Sequence, residues 1–171
     1  MSIKASVAGM ENEPLWLSAR EDRAWRSVLH AHHQLTLHLQ RELLRDFGLT
    51  VADYEVLAAL SEHPEGRMPA CDLAAALAWE TSRLSHQTRR MRQRGLLERV
   101  ANPADGRGAL LVLLPAGREA IEVAAPAHVR QVRRHFLDLL TADELDAMAA
   151  VHDRIRQHLP DTARTGEGDP T

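Results

Sequence analysis

The hydrophobic period of the chain changes between residues 81 and 115, and this change restricts its possible folds more than any other property. A helical pattern covers residues 81–93 and stops at Arg94-Gly95. Two segments typical of strands follow at residues 96–100 and 109–114, separated by a turn rich in Asn, Pro, Asp and Gly. Pro115 then begins another helical stretch. The sequence therefore predicts a β-hairpin with a long tip, with helices on both sides.

The segment before this hairpin contains further helices. Apolar residues at spacings of three and four predict a long helix over residues 20–47, and Gly48 stands at the position of a C-cap glycine. Thr50, three residues before Asp53, is typical of the N-cap of a second helix. His63-Pro64-Glu65-Gly66 interrupts that helix, and two short elements follow. They are a strand at residues 67–69 and a helix at residues 72–78.

The carboxyl-terminal part is also helical. The pattern predicts one helix over residues 116–140, and the capping box Thr141-Ala-Asp-Glu144 begins a last helix that ends near residue 159. The order helix, helix, β-hairpin is that of a winged helix-turn-helix. We therefore predict a mainly α fold with a small β-hairpin wing, in which a winged helix-turn-helix has further helices on both sides. The predicted divisions are a flexible arm (1–18), flanking helices (19–47 and 115–159), a winged helix-turn-helix domain (48–114) and a disordered tail (160–171).

Charge is distributed unevenly along the chain. The whole sequence carries a formal net charge of −3, but the segment from Thr81 to Arg107 holds seven arginines and only two acidic residues, a net charge of +5. The remainder therefore carries −8. A basic surface on an acidic scaffold is typical of proteins that bind DNA. Without an apolar block of signal-peptide or membrane-spanning length, we expect a cytoplasmic protein with no membrane partner.

The helix over residues 81–93 has the face that a DNA-reading helix needs. Leu84, Thr88 and Met91 fall on one side of a helical wheel, where they can pack on the domain. The opposite side and its flanks carry hydroxyl, imidazole and guanidinium groups, which can bond to phosphates and to base edges. These residues are Ser82, Arg83, Ser85, His86, Arg89, Arg90 and Gln93.

The hairpin tip adds a second cationic element. Arg107 lies in the turn Asn-Pro-Ala-Asp-Gly-Arg-Gly, where an arginine on a thin loop can enter a minor groove. Asp105 can hold its guanidinium in a forked hydrogen bond. An ordinary solvated turn remains the alternative interpretation, because Asp-Gly is common in turns.

Three stretches together resemble the MarR family of dimeric winged-helix transcription factors. They are FGLTVADYEVLAAL, DLAAALAWETSRLSHQTRRMRQRGLLERV and NPADGRGALLVLLPAGREA. The resemblance runs from about Trp25 to Leu159, and the DGRG turn is its most specific motif. Two residues depart from the pattern: Pro115 replaces a usual threonine, and Ala104 replaces a frequent wing arginine.

The resemblance implies a homodimer that binds palindromic double-stranded operator DNA, more often as a repressor than as an activator. The flanking segments 19–47 and 115–159 would be the dimerisation helices, and 48–114 would be the DNA-binding domain. The two recognition helices of the dimer would enter successive major grooves. Carried over by position, the DNA-binding residues would be Ser82, Arg83, Ser85, His86, Gln87, Arg89, Arg90, Asp105 and Arg107, with Gln87 between the groove and core faces. A small aromatic effector would bind near Trp25 and Tyr54.

Two sensor interpretations compete within the DNA-binding class. Among ten histidines, His30 and His33 share a helical face, as do His128 and His135, but no H-E-x-x-H or Cys/His cluster is present, so no metal ligand is assigned. The single cysteine, Cys71, lies near a predicted helix start, which would lower its pKa and favour a reactive thiolate. A small residue in a turn is the simpler reading.

The remaining alternatives lie outside DNA binding. The chain lacks a G-x-S-x-G elbow, a P-loop and a G-x-G-x-x-G motif, so no catalytic residue and no cofactor is predicted and an enzyme is not expected. A winged-helix module that binds protein and has no operator stays open, because a fold does not fix a function.

Overall fold

A computed structural model describes residues 16–102 and 108–159. The tail predicted at 160–171 and most of the arm predicted at 1–18 lie outside this part. The helices are α1 (Ala19–Phe47), α2 (Val51–Glu62), α3 (Ala70–Ala76), α4 (Thr81–Gln93), α5 (Pro115–His135) and α6 (Ala142–His158). The strands are β1 (Arg67–Pro69), β2 (Leu97–Ala101) and β3 (Ala109–Leu113), and a 3₁₀ turn covers Leu137–Leu139. The mainly helical fold with a small wing is confirmed.

Local sequence signals set several helix ends. Gly48 adopts a φ of +62° directly after α1, a left-handed conformation that favours glycine. At the start of α2, the Thr50 hydroxyl accepts from the backbone N–H of Asp53 at 3.0 Å. The Asp53 carboxylate in turn accepts from the backbone N–H of Thr50 at 2.9 Å. The predicted capping box is therefore present.

The three strands form one antiparallel sheet in the order β1-β3-β2. In the hairpin, Leu97 pairs with Leu113 and Ala101 pairs with Ala109. The backbone N–H of Asn102 donates to the carbonyl of Gly108 at 3.1 Å, which closes the described base of the tip. The sequence predicted β1 as a separate element, whereas it pairs with the outer side of β3.

The core lies among α2, α3, α4 and the sheet. Its fully buried side chains are mostly leucines, and each removes a large apolar surface from water. They include Leu57, Leu60, Leu73, Leu84, Met91, Leu97 and Leu111. Gly117, in the first turn of α5, packs closely against the chain just before β2, since a Cβ at this position would lie 2.0 Å from the carbonyl oxygen of Leu96. Only glycine permits this close approach of helix and strand.

The predicted bounds of two helices are wrong. The short helix spans Ala70–Ala76 instead of residues 72–78, and Pro69 in its N-cap position lets it follow β1 without a linker. The helix predicted at 116–140 ends at His135, since Phe136 has φ −142° and ψ −67°, outside the helical region. A 3₁₀ turn then leads to the capping box of α6. The apolar spacing continues through this break, and it therefore could not reveal it.

The chain divides into two compact units, at residues 1–36 and 37–171. In the first unit, the described part of α1 exposes Trp25, Val28 and Leu29. In the second unit, α6 contains no buried residue, and Val151, Ile155 and Leu159 are exposed along it. Within residues 16–102 and 108–159, no helix is long and apolar enough to cross a membrane.

Candidate nucleic-acid interface

Helix α4 packs on the core with one side and leaves the other in solvent. Leu84, Thr88 and Met91 are buried, as the helical wheel predicts. The Thr88 hydroxyl donates to the carbonyl of Leu84 at 2.9 Å, so the one hydroxyl on the core side is satisfied within the helix. The orientation of α4 is thus fixed mainly by apolar burial, and its exposed polar residues point away from the domain.

The exposed side of α4 carries six of the predicted DNA-binding residues, which we call the recognition face. They are Ser82, Arg83, Ser85, His86, Arg89 and Arg90. Four of them, Ser82, Arg83, His86 and Arg90, line one shallow surface groove. Ser85 lines a second depression with Thr81 and Arg99, and Arg89 lines a third with Arg92 and Glu98.

The amino-terminal end of α4 lacks a side-chain cap. Glu80 occupies the N-cap position and makes no capping hydrogen bond. The first backbone N–H groups of a helix have no partner within the helix, and together with the helix dipole they favour anions such as phosphate. The recognition face therefore combines helix-end donors with three arginines, a combination suited to a phosphate backbone.

Arg83 is held by an aromatic ring. Its guanidinium carbon lies 4.1 Å from the ring centroid of Trp79, within the range of a cation–π contact. Burial raises the pKa of Glu55, and the nearby positive charge of Arg83 partly opposes that rise. Trp79 follows Ala78, whose φ of +51° turns the chain sharply between α3 and α4. Arg83 is thus oriented before any partner binds.

A buried polar cluster beneath α4 was not predicted from the sequence. Asp53, 2% exposed, accepts from Gln87 Nε2 at 2.7 Å and from Arg94 Nη1 at 2.8 Å. Arg94 also donates to the carbonyl of Gly48 at 2.8 Å. The only sequence signal for this cluster was the capping box, which identifies Asp53 as a cap but gives no sign of its partners in and after α4.

Gln87 departs from the predicted set of DNA-binding residues. It is 3% exposed, and its amide bonds to Asp53 at one end and to Arg90 at the other. The helical wheel placed Gln87 between the groove and core faces, and in the structure its side chain lies on the core side. Gln87 therefore supports the recognition face from beneath.

The described part of the wing ends at Asn102 and resumes at Gly108. Asp105 and Arg107, the predicted wing residues, lie outside the described residues. The described strand pairs run from Leu97–Leu113 to Ala101–Ala109. Their role stays a prediction.

The predicted effector residues occupy different settings. Trp25 is 57% exposed on α1 within the first unit. Tyr54, in the second, is half-buried, with its ring centroid 4.3 Å from that of His128. Burial raises the pKa of Tyr54, and burial lowers the pKa of His128, so both are held uncharged near neutral pH.

A small cavity of about 20 Å³ is lined by His128, the ring partner of Tyr54, but not by Tyr54 itself. Its lining includes Leu39, Glu42, Phe47, His128 and Gln131. The buried atoms Glu42 Oε2 and Gln131 Oε1 have no hydrogen-bond partner. The cavity is about the size of one water molecule, which could donate to both.

The sensor alternatives gain little from the geometry. His38 and His135 face each other with 3.1 Å between their Nε2 atoms, while no group of three or more His, Cys, Asp and Glu in the described chain is arranged to hold a metal ion. The thiol of Cys71 donates to the Asp72 carboxylate at 3.3 Å. This hydrogen bond raises the pKa of Cys71, contrary to the lowering expected at a helix start. The thiolate is therefore disfavoured.

Comparison with known proteins supports this arrangement. A sequence model of the MarR family matches residues 47–108. The structure is similar to AbsC, a MarR family transcriptional regulator from Streptomyces coelicolor, with a TM-score of 0.82 and 41% identity over 85% of this chain and 97% of that one. The chain belongs to the MarR family. It is thus a transcriptional regulator that binds DNA, and not an enzyme.

Two further structures resemble this MarR family member. Sco3205, a MarR family transcriptional regulator from Streptomyces coelicolor solved in complex with DNA, has a TM-score of 0.84 and 34% identity over 90% of this chain and 97% of that one. BpsR of Bordetella bronchiseptica, whose DNA binding is regulated by 6-hydroxynicotinic acid, has a TM-score of 0.66 and 23% identity over 78% of this chain and 98% of that one. At 23% identity, the similarity to BpsR shows the fold alone. No curated protein sequence matches the chain.

Proposed function

We propose that this MarR family protein is a homodimeric repressor that binds palindromic operator DNA and is released by a small effector. The observation that carries the proposal is the recognition face, an exposed side of α4 whose position is fixed by buried Leu84 and Met91. A polar and cationic helix face on a rigid base is suited to a major groove, where arginine can bond guanine O6 and N7.

Within this proposal, the residues of α4 have different tasks. Arg83, held on Trp79 and lining the groove with Ser82 and His86, is the candidate for base readout. Ser85, Arg89 and Arg90 surround these residues and would bind the phosphate backbone. Asp105 and Arg107 complete the proposal at the wing, where Arg107 would enter the minor groove.

The homodimer is supported by the exposed apolar residues of α6. Val151 and Ile155 are four residues apart in α6, so they share one helical face, and exposed Leu159 follows at the C-cap. A regular apolar stripe in water is unfavourable, and a second copy of the chain would cover it. Within the first unit, Trp25, Val28 and Leu29 on α1 leave a further exposed apolar side.

Effector control is the least constrained part of the proposal. We expect a small aromatic compound to bind near Tyr54 and to control DNA binding, as 6-hydroxynicotinic acid regulates the DNA binding of BpsR. The effector would shift the population between dimer forms that can and cannot span two half-sites. Titration of DNA-bound protein with aromatic carboxylates should release the DNA, and Tyr54→Ala should weaken that release.

The test of DNA binding compares Arg83→Ala with Arg41→Ala, a control that removes an exposed arginine from α1. Using labelled promoter DNA and single-base variants, we expect Arg83→Ala to relax preference by about 1–3 kcal/mol at one position in each half-site. Arg41→Ala should keep the preference of the wild type. If the wild type shows no preference for any promoter fragment over random DNA, and no salt-dependent affinity, a protein-binding winged helix is the better account.

A further inference from the structure

A continuous chain of hydrogen bonds runs from the core to the recognition face. It begins at the Asp53 carboxylate, whose Oδ1 accepts from Gln87 Nε2 at 2.7 Å. It continues through the other end of the same amide, because Gln87 Oε1 accepts from Arg90 Nη2. Asp53 and Gln87 are buried, whereas Arg90 is exposed. The chain therefore links an interior carboxylate to a cation on the candidate DNA surface.

The chemistry of the three groups allows this chain only one direction. A carboxylate can only accept, so the amide must turn its NH₂ toward Asp53. Its carbonyl oxygen then faces outward, where it can only accept from a donor such as the Arg90 guanidinium. The carboxylate is itself anchored, since Oδ2 accepts from the backbone N–H of Thr50 at 2.9 Å and from Arg94 Nη1 at 2.8 Å. The orientation of Arg90 is thus determined by a fixed group in α2.

A fixed arginine binds more tightly than a mobile one. A free arginine side chain loses much of its rotamer entropy when it is immobilised. If the protein already holds it in place, less of this entropy is lost when it meets a phosphate. Arg89, its neighbour on the recognition face, has no hydrogen bond or ion pair among those found in the described residues. The two arginines should therefore differ in mobility.

We propose that Asp53 and Gln87 are positioning residues that hold Arg90 ready for a DNA phosphate. The proposal rests on the proposed function, because it assigns Arg90 to the DNA contact. Gln87 acts on Arg90 directly and Asp53 acts through Gln87. Arg94, the other side-chain donor to Asp53, helps to hold the carboxylate in place and also links the end of α4 to Gly48.

The test is a double-mutant cycle on DNA affinity. Gln87→Met keeps the length of the side chain but can bond neither Asp53 nor Arg90. We expect it to weaken operator binding about three- to tenfold in the wild type, as one released side chain would. In an Arg90→Ala background the same change should have almost no effect, because the group that it positions is gone. Gln157→Met, the same substitution at an exposed glutamine of α6, is the matched control and should leave operator binding unchanged in both backgrounds.

Each outcome separates the alternatives. Equal losses from Gln87→Met in both backgrounds would show a purely structural role and overturn the proposal. If Arg90→Ala binds operator as the wild type does while Arg83→Ala does not, the positioning role is overturned and the DNA-binding function stands. If the wild type itself binds no DNA, the proposed function fails, and the positioning proposal fails with it.

A second measurement needs no substitution in the core. Relaxation of the side-chain Nε groups by NMR reports picosecond to nanosecond mobility in the free wild-type protein. We expect a higher order parameter for Arg90 than for Arg89. Equal and low order parameters for the two would overturn the proposal even if Gln87→Met failed to fold.

Discussion

Helices α2 and α6 begin in the same way and meet opposite environments. Each is preceded by an N-cap threonine whose hydroxyl accepts from the backbone N–H of an acidic residue, Asp53 in α2 and Glu144 in α6. The carboxylate of that acidic residue accepts in return from the backbone N–H of the threonine. Yet α2 buries Asp53, Val56, Leu57 and Leu60, whereas α6 buries nothing. The comparison teaches that a capping box decides where a helix begins, and that tertiary or quaternary contacts decide what it covers.

The largest difference should appear when an apolar side chain is shortened in each helix. Leu57 is fully buried, so Leu57→Ala removes packing and leaves a cavity, at a loss of about 2–5 kcal/mol in unfolding free energy. Ile155→Ala, at a site 51% exposed in the single chain, should cost less. Urea unfolding of both variants measures the contrast. Equal losses would mean that α6 is buried as deeply as α2 in solution.

A charge beside the exposed Val151 on α6 should separate the proposed dimer. Burying isoleucine is worth about 1.5–3 kcal/mol, and Ile155→Asp forfeits this in both copies while it places a carboxylate in the interface. Sedimentation should show a mass near that of one chain. Gln157→Asp adds the same charge on the opposite side of the helix and should leave a dimer. A dimeric Ile155→Asp protein would place the interface elsewhere.

The two caps themselves allow a finer comparison. Loss of an N-cap hydroxyl costs about 0.5–2 kcal/mol. We expect Thr50→Ala to fall near the upper end of this range, because the Asp53 it caps also holds Gln87 and Arg94. Thr141→Ala should fall near the lower end, as its box is exposed. Thermal unfolding measures both, and a larger loss at Thr141 would contradict the contrast.

The smallest effect concerns acid. Hydrogen bonds from the backbone and side chain of Thr141 lower the pKa of Glu144 in the folded chain. A lowered folded pKa adds stability above the unfolded pKa of about 4.3, and this stability is lost as pH falls through the folded pKa. Glu144→Gln should therefore flatten the acid limb of a stability profile slightly. Glu119→Gln changes an exposed residue outside the capping box, and its acid limb should keep the slope of the wild type. Identical limbs would show that the cap does not titrate with folding.

How much the sequence could predict follows from the range of each interaction. The bounds of α4 and both capping boxes depend on neighbours within four residues, and these predictions are confirmed. The bonds from Asp53 span 34 residues to Gln87 and 41 to Arg94, and no local pattern contains them. For that reason the sequence left Gln87 between the groove and core faces and listed it with the DNA-binding residues, whereas it lies in the core.

The same limit applies to the end of α5. The apolar period predicted one helix to residue 140, but the period is blind to the single backbone rotation at Phe136 that ends it. Likewise, sequence spacing grouped the six residues of the recognition face correctly on one exposed side of α4. It could not show that Trp79 holds Arg83.

The central claim is that α4 reads operator DNA, and one titration tests it most directly. Labelled DNA from the promoter region upstream of the coding sequence is titrated with wild-type protein and with Arg83→Ala. Unlabelled random duplex serves as competitor, and salt is varied from about 50 to about 200 mM. We predict tight wild-type binding that survives competitor and falls steeply with salt, with the preference for promoter DNA reduced in Arg83→Ala. Wild-type binding that is equal for promoter and random DNA, or independent of salt, would contradict the account.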